Sequence, residues 1–120
     1  LTASTKNLVN AERLSRMKPD AIIINTARGG LIDETALADA LRVGHIFGAG
    51  LDTFAQEPPP AEHPFWSEPR LVLSPHIGGV TTAANLRVGV EAAQGIVDVL
   101  AGRAVSVTRI VNRDKLSISA

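Results

Sequence analysis

Residues 21–33 read AIIINTARGGLID, an apolar, β-branched run that stops at a polar turn carrying one arginine and two glycines. A run without polar alternation is expected where both faces of a parallel strand are covered. A strand over residues 21–25, followed at once by a turn, is therefore the constraint that every other segment has to satisfy. In an open α/β sheet, ligands lie outside the carboxyl ends of the parallel strands. Arg28, three residues past this strand, is the first functional candidate. Two later strands end in the same manner, on Asp52 and on His76, so three strand ends deliver Arg, Asp and His to one edge of one sheet.

The flanking segments fit that sheet. Asn10 can cap a short helix running to Met17, with Leu14 and Met17 as its apolar stripe, before Pro19 stops it. Asp33 caps a second helix whose apolar face is Ala36, Leu37, Ala40 and Leu41, and Gly44 ends it. The next strand is expected over residues 45–51, HIFGAGL. Residues 53–69 hold five prolines and little periodicity, and read as a long ordered excursion carrying Glu57 and anchored by Phe65 and Trp66. A short strand over 70–74 precedes PHIGG, and from Thr81 or Thr82 a long helix is expected to about Ala101. Its stripe is Leu86, Val90, Ala93, Val97 and Leu100. Gly89 and Gly95 inside it predict close packing, since each costs roughly 1 kcal/mol relative to alanine. Beyond Gly102, VSVTRIVN reads as strand-like or extended and DKLSISA as a frayed end.

The order helix, strand, helix, strand, long loop, strand, helix is that of the second half of a doubly wound parallel sheet in the α/β class. No G-x-G-x-x-G follows any strand, and GAG at 48–50 lies within one. A phosphate-binding loop is expected upstream of Leu1. The 120 residues give room for one small domain with a single core. Twelve Lys and Arg balance twelve Asp and Glu, and the single-sign runs are short, so neither nucleic acid nor an anionic membrane is an expected partner. The absence of cysteine removes disulfides and thiolate metal sites, and fits a cytoplasmic setting. No metal site is expected.

Several side chains have two readings. Arg28 can form a bidentate pair with a carboxylate, with Gly29 and Gly30 admitting a ligand close to the backbone, or it can be a solvated turn arginine. His76, between Pro75 and Gly78-Gly79, can exchange a proton near neutral pH or be a structural histidine. Glu57 gains meaning as its partner, because a carboxylate bonded to an imidazole holds the tautomer and favours the protonated ring. Asp52 can accept from a ligand or cap its own turn. His45 and His63 have no metal-ligand spacing and read as surface residues.

NTARGGLIDE, LDTFAQEPP and SPHIGG, in that order, resemble the cofactor domain of the D-isomer-specific 2-hydroxyacid dehydrogenases, the group holding D-3-phosphoglycerate dehydrogenase and the glyoxylate/hydroxypyruvate reductases. The resemblance runs essentially from Leu1 to Asn112. It implies a truncated Rossmann-like NAD(P)-binding domain over residues 1–103, with 104–120 a crossover segment and tail. It implies NAD or NADP as cofactor and a small 2-oxo or 2-hydroxy acid as substrate. In this reading Arg28 binds the substrate carboxylate, His76 exchanges the hydroxyl proton and Glu57 pairs with His76. Thr26, Ala27, Arg28, Asp52, His76, Ile77, Gly78 and Gly79 face the nicotinamide half of the cofactor, and Thr5 or a neighbour is a further contact.

The family also has a substrate domain and a residue choosing between the two cofactors, neither of which lies in these residues. The piece alone is expected to be inactive and to show one raw sheet edge, while the full-length protein is expected to be a homodimer. The alternative is an NAD(H)-responsive, corepressor-like binding module or an inactive remnant. Formate dehydrogenases, also relatives, are disfavoured because they resemble this chain except for a glutamine where Glu57 stands.

Overall fold

The computed structural model describes residues 1–106 and 110–112. The elements are α1 (Ala11–Ser15), β1 (Ile22–Asn25), α2 (Glu34–Arg42), β2 (Gly48–Leu51), β3 (Leu71–Leu73) and α3 (Thr82–Leu100), with 3-10 turns at Gly29–Leu31 and Pro64–Ser67. They form two compact units, Leu1–Gly78 and Gly79–Ala120. Among the described residues no helix is long and apolar enough to cross a membrane.

In the first unit the three strands pair in parallel in the order β1-β2-β3. Ile23 stands opposite Ala49 and Ala49 opposite Leu71, while Asn25 stands opposite Leu51 and Leu51 opposite Leu73. These residues face the core, where Leu14, Ile32, Leu37, Leu41, Ile46 and Phe65 are buried. Asn10 caps α1 by accepting from the Arg13 N–H at 3.0 Å. That helix ends at Ser15, two residues short of the expected Met17. Asp33 caps α2 through the Ala36 N–H at 3.0 Å.

The expectation that both faces of β1 are covered is corrected. Ile22, Ile24 and Val72 are exposed, as is Phe47 beside them. The strand order advances in one direction, so crossovers of the same hand fall on one face. The core gathers on that face and leaves the other bare within this unit. Both β1 and β3 are edge strands among the described residues, so the sheet has two open edges where one was expected. The expected strand 45–51 is also shorter, because residues 44 and 45 close α2. Gly44 adopts a left-handed φ of 73°, the His45 N–H donates to Ala40 O at 2.9 Å, and only from Gly48 does the ladder begin.

The second unit is built on α3, capped by Thr81, whose Oγ1 accepts from the Ala84 N–H at 3.0 Å. None of its residues is buried. Among the described residues nothing lies within 4 Å of a Cβ placed at Gly89 or Gly95, so the close packing expected there is absent. Within VSVTRIVN, residues 105–106 and 110–112 form no strand, while 107–109 and the DKLSISA end lie outside the described residues.

Candidate active site

The register carries the ends of β1, β2 and β3 to one edge of the sheet, and each end is fixed by its own polar contacts. After β1, the buried Asn25 folds the chain over itself: its Oδ1 accepts from the Ala27 N–H at 3.0 Å and its Nδ2 donates to Arg28 O at 2.9 Å. Thr26, Ala27 and Arg28 are left exposed on this turn. The Arg28 guanidinium donates to Ala27 O at 2.7 Å through Nη1.

Gly29 is buried, and a Cβ there would lie 1.9 Å from the Phe54 carbonyl carbon and 2.3 Å from Ala55 N. Its neighbour is thus the loop after β2, where the sequence suggested room for a ligand. A Cβ at Gly30 would likewise meet Leu1 Cδ2 at 2.8 Å. The missing side chain at 29 lets the Arg28 turn sit directly on the segment carrying Glu57.

Asp52, at the end of β2, is only 4% exposed. Its Oδ1 accepts from Ser74 Oγ at 2.5 Å and from the Ile77 N–H at 2.9 Å, and its Oδ2 from the Gly78 N–H at 2.8 Å. The Ser74 hydroxyl, followed by the Gly78 N–H, holds the carboxyl below its usual range. Asp52 does not cap its own turn: its carboxylate braces the segment 74–78, which carries His76.

His76 adopts φ 56°, a left-handed conformation that costs a non-glycine residue roughly 1 kcal/mol and persists where surrounding contacts enforce it. The Ile77 and Gly78 bonds to Asp52 supply that enforcement. The His76 Nδ1–H donates to Glu57 Oε2 at 2.8 Å, while Glu57 Oε1 accepts from the Phe54 N–H at 3.0 Å. The Glu57 carboxyl is held below its ordinary value, first by the bond from His76, then by the Phe54 N–H, with the charges of His76 and Arg28 adding to it. An ionised carboxylate only accepts, so Nδ1 carries a proton in every state of the ring, and Nε2 is the atom free to gain or lose one. The side chains are 45% and 39% exposed. Beside them lies an open cleft of about 410 Å³, walled by Phe54, Pro58, Trp66 and Leu73.

The structure thus brings Arg28, Glu57 and His76 into one electrostatic neighbourhood, with Asp52 beneath. Gly79 belongs to the second unit. Thr5 spends its hydroxyl within its own turn, donating to Thr2 O at 3.2 Å. The surface reading of the other histidines is corrected. His63 is 10% exposed and bonded to Glu34, and His45 has a buried Nε2 with no partner among the described residues. Asn25, Ser74 and Glu34 are site-building residues that the sequence did not single out, and His63 is one that it placed at the surface. Asn25 carried a readable signal, since an Asn at a strand end commonly bonds backbone two residues on; the Glu34–His63 pair, 29 residues apart, carried none.

A parallel sheet with polar side chains converging at its carboxyl edge defines a Rossmann-like α/β domain, here represented by three strands. Residues 1–78 match the family described as D-isomer specific 2-hydroxyacid dehydrogenase, NAD binding domain, and the chain belongs to that family. It is 46% identical over 101 residues to the D-3-phosphoglycerate dehydrogenase of Mycobacterium leprae (strain TN), covering 84% of this chain and 19% of that one. It is 43% identical over 118 residues to the glyoxylate reductase of Thermofilum pendens (strain DSM 2475 / Hrk 5), covering 98% of this chain and 34% of that one. The crystal structure of a D-isomer specific 2-hydroxyacid dehydrogenase from Xanthobacter autotrophicus Py2, in complex with NADPH and MES, superposes with a TM-score of 0.72 at 38% identity, covering 88% of this chain and 43% of that one. The chain therefore spans about a fifth to a third of the length of these two curated relatives.

Proposed function

We propose that the protein carrying this chain is an NAD(P)-dependent oxidoreductase that interconverts a small 2-oxo acid and the corresponding D-2-hydroxy acid. The observation that carries the reading is the Glu57–His76 pair at 2.8 Å, at the same sheet edge as Arg28. Arg28 is exposed and offers a planar fork of donors suited to a carboxylate. His76 Nε2 gives a proton to the substrate oxygen in reduction and removes it in oxidation, and Glu57 balances the imidazolium charge in the proton-donating state. Positioning and charge complementarity thus account for most of what these side chains contribute.

The residues fit a nicotinamide. Thr26 and Ala27, past the end of β1, and Ile77 and Gly78, past the end of β3, are exposed. The small side chain of Ala27 leaves room for a flat ring at the turn after β1, while a Cβ at Gly78 would meet Asp52 Oδ2 at 2.9 Å. When bound, that group supplies or accepts the hydride. Asp52 contributes by holding residues 76–78, with its three accepted bonds directed into the chain.

The test is a chimera in which this chain replaces the matching 118 residues of the Thermofilum pendens glyoxylate reductase. NAD(P)H-dependent reduction of glyoxylate is expected. His76→Ala should abolish turnover while leaving NAD(P)H affinity within about threefold, as expected for a proton-transferring group. A folded chimera that binds NAD(P)H yet reduces no 2-oxo acid, or a His76→Ala variant that turns over normally, would overturn the reading.

A further inference from the structure

Residues 53–69 leave β2 and return to β3 with one short 3-10 turn between, and they carry Glu57. Two side chains outside the trio tie this excursion down. Glu34, the first residue of α2, accepts from the Ala55 N–H through Oε1 at 2.7 Å, and its Oε2 lies 3.2 Å from His63 Nε2. His63 Nδ1 accepts from the Phe65 N–H at 3.4 Å, so the ring proton sits on Nε2 and points at Glu34. Both side chains are largely buried, at 10% for His63 and 13% for Glu34. The imidazole packs at 4.6 Å from the Phe65 ring and 6.2 Å from each of Phe54 and Trp66. A carboxylate removed from water needs such donors, and Glu34 takes both from the excursion.

Phe54 and Ala55 are consecutive, and their N–H groups go to different carboxylates: Phe54 to Glu57 and Ala55 to Glu34. A displacement at Ala55 is thereby transmitted through one peptide to the bond that orients Glu57. We propose that Glu34 and His63 form a latch that sets Glu57 against His76, and that they are positioning residues for the proton transfer at His76. The link to proton transfer rests on the function proposed above; the latch itself does not.

The test reads the rings directly, in the 15N-labelled full chain, by long-range proton–nitrogen spectra of the imidazoles. In the unaltered protein neutral His76 should be the Nδ1–H tautomer and neutral His63 the Nε2–H tautomer. Glu34→Ala should leave the β1–β3 amide resonances in place while His76 moves to comparable populations of both tautomers. Glu34→Gln, which can still accept from Ala55, should fall between. A folded Glu34→Ala chain whose His76 keeps the single Nδ1–H tautomer would overturn the proposal. Should Glu34→Ala fail to fold, hydrogen exchange in the unaltered chain decides: Phe54 and Ala55 N–H should share one opening and agree in protection within about threefold, whereas a difference beyond about tenfold would overturn the latch. Neither readout uses nicotinamide or an oxo acid, so the latch and the proposed function fail separately.

Discussion

Two carboxylates in the site make folding pH-dependent in a defined direction. Glu57 is held below its ordinary 4.5, first by the His76 bond, and Asp52 below its ordinary 3.8, first by the Ser74 hydroxyl. A group whose folded-state pKa is depressed stabilises the fold fully above its unfolded-state value, and that contribution is lost as pH falls through the folded one. The melting temperature of the chain should therefore begin to fall near pH 4.5 and keep falling below 3.8, and Asp52→Asn should flatten the lower part of that fall. Gly29 sets a steric limit nearby. With a Cβ only 1.9 Å from Phe54 C, Gly29→Ala should cost about 3 kcal/mol in urea unfolding and loosen the contact between the two loops. A variant as stable as the unaltered chain would remove that close approach. Arg28 and His76 could be picked out from strand-end position and motif order together, and Glu57 only from motif order and as a partner for His76. Glu34 and His63 were not, since their meeting depends on how α2 and the excursion pack.

The elements were legible in kind and order, and less so in extent. β2 is three residues shorter than expected, because the Gly44 and His45 N–H groups turn back to Leu41 O and Ala40 O at the end of α2, and the paired ladder starts only at Gly48. The α3 stripe of Leu86, Val90, Val97 and Leu100 follows its expected spacing, yet these side chains are exposed. Periodicity reports which face is apolar, and only packing reports whether anything covers it. Gly95 illustrates the same point, since among the described residues nothing lies within 4 Å of the place a methyl group would take there. Gly95→Ala should accordingly stabilise α3 by up to about 1 kcal/mol, visible as increased helicity and slower amide exchange within 82–100. Destabilisation would place a close neighbour at that glycine after all.

At the scale of the whole molecule, the described residues hold three strands, two open sheet edges and a bare face bearing Ile22, Ile24 and Val72, beside a site whose polar contacts are already formed within residues 1–78. The site edge depends on local contacts: Asn25 for the Arg28 turn, Asp52 for the His76 turn, and Phe54 N–H for Glu57. In the proposed reaction Glu57, through Nδ1, governs the proton that His76 exchanges at Nε2. The most direct measurement is the pH profile of 2-oxo acid reduction in the chimera, compared with its Glu57→Gln variant. Removing the negative charge removes what favours the imidazolium that reduction requires. The alkaline limb of the profile should therefore move to lower pH in Glu57→Gln, while a profile that does not move would contradict the pairing as the source of the chemistry.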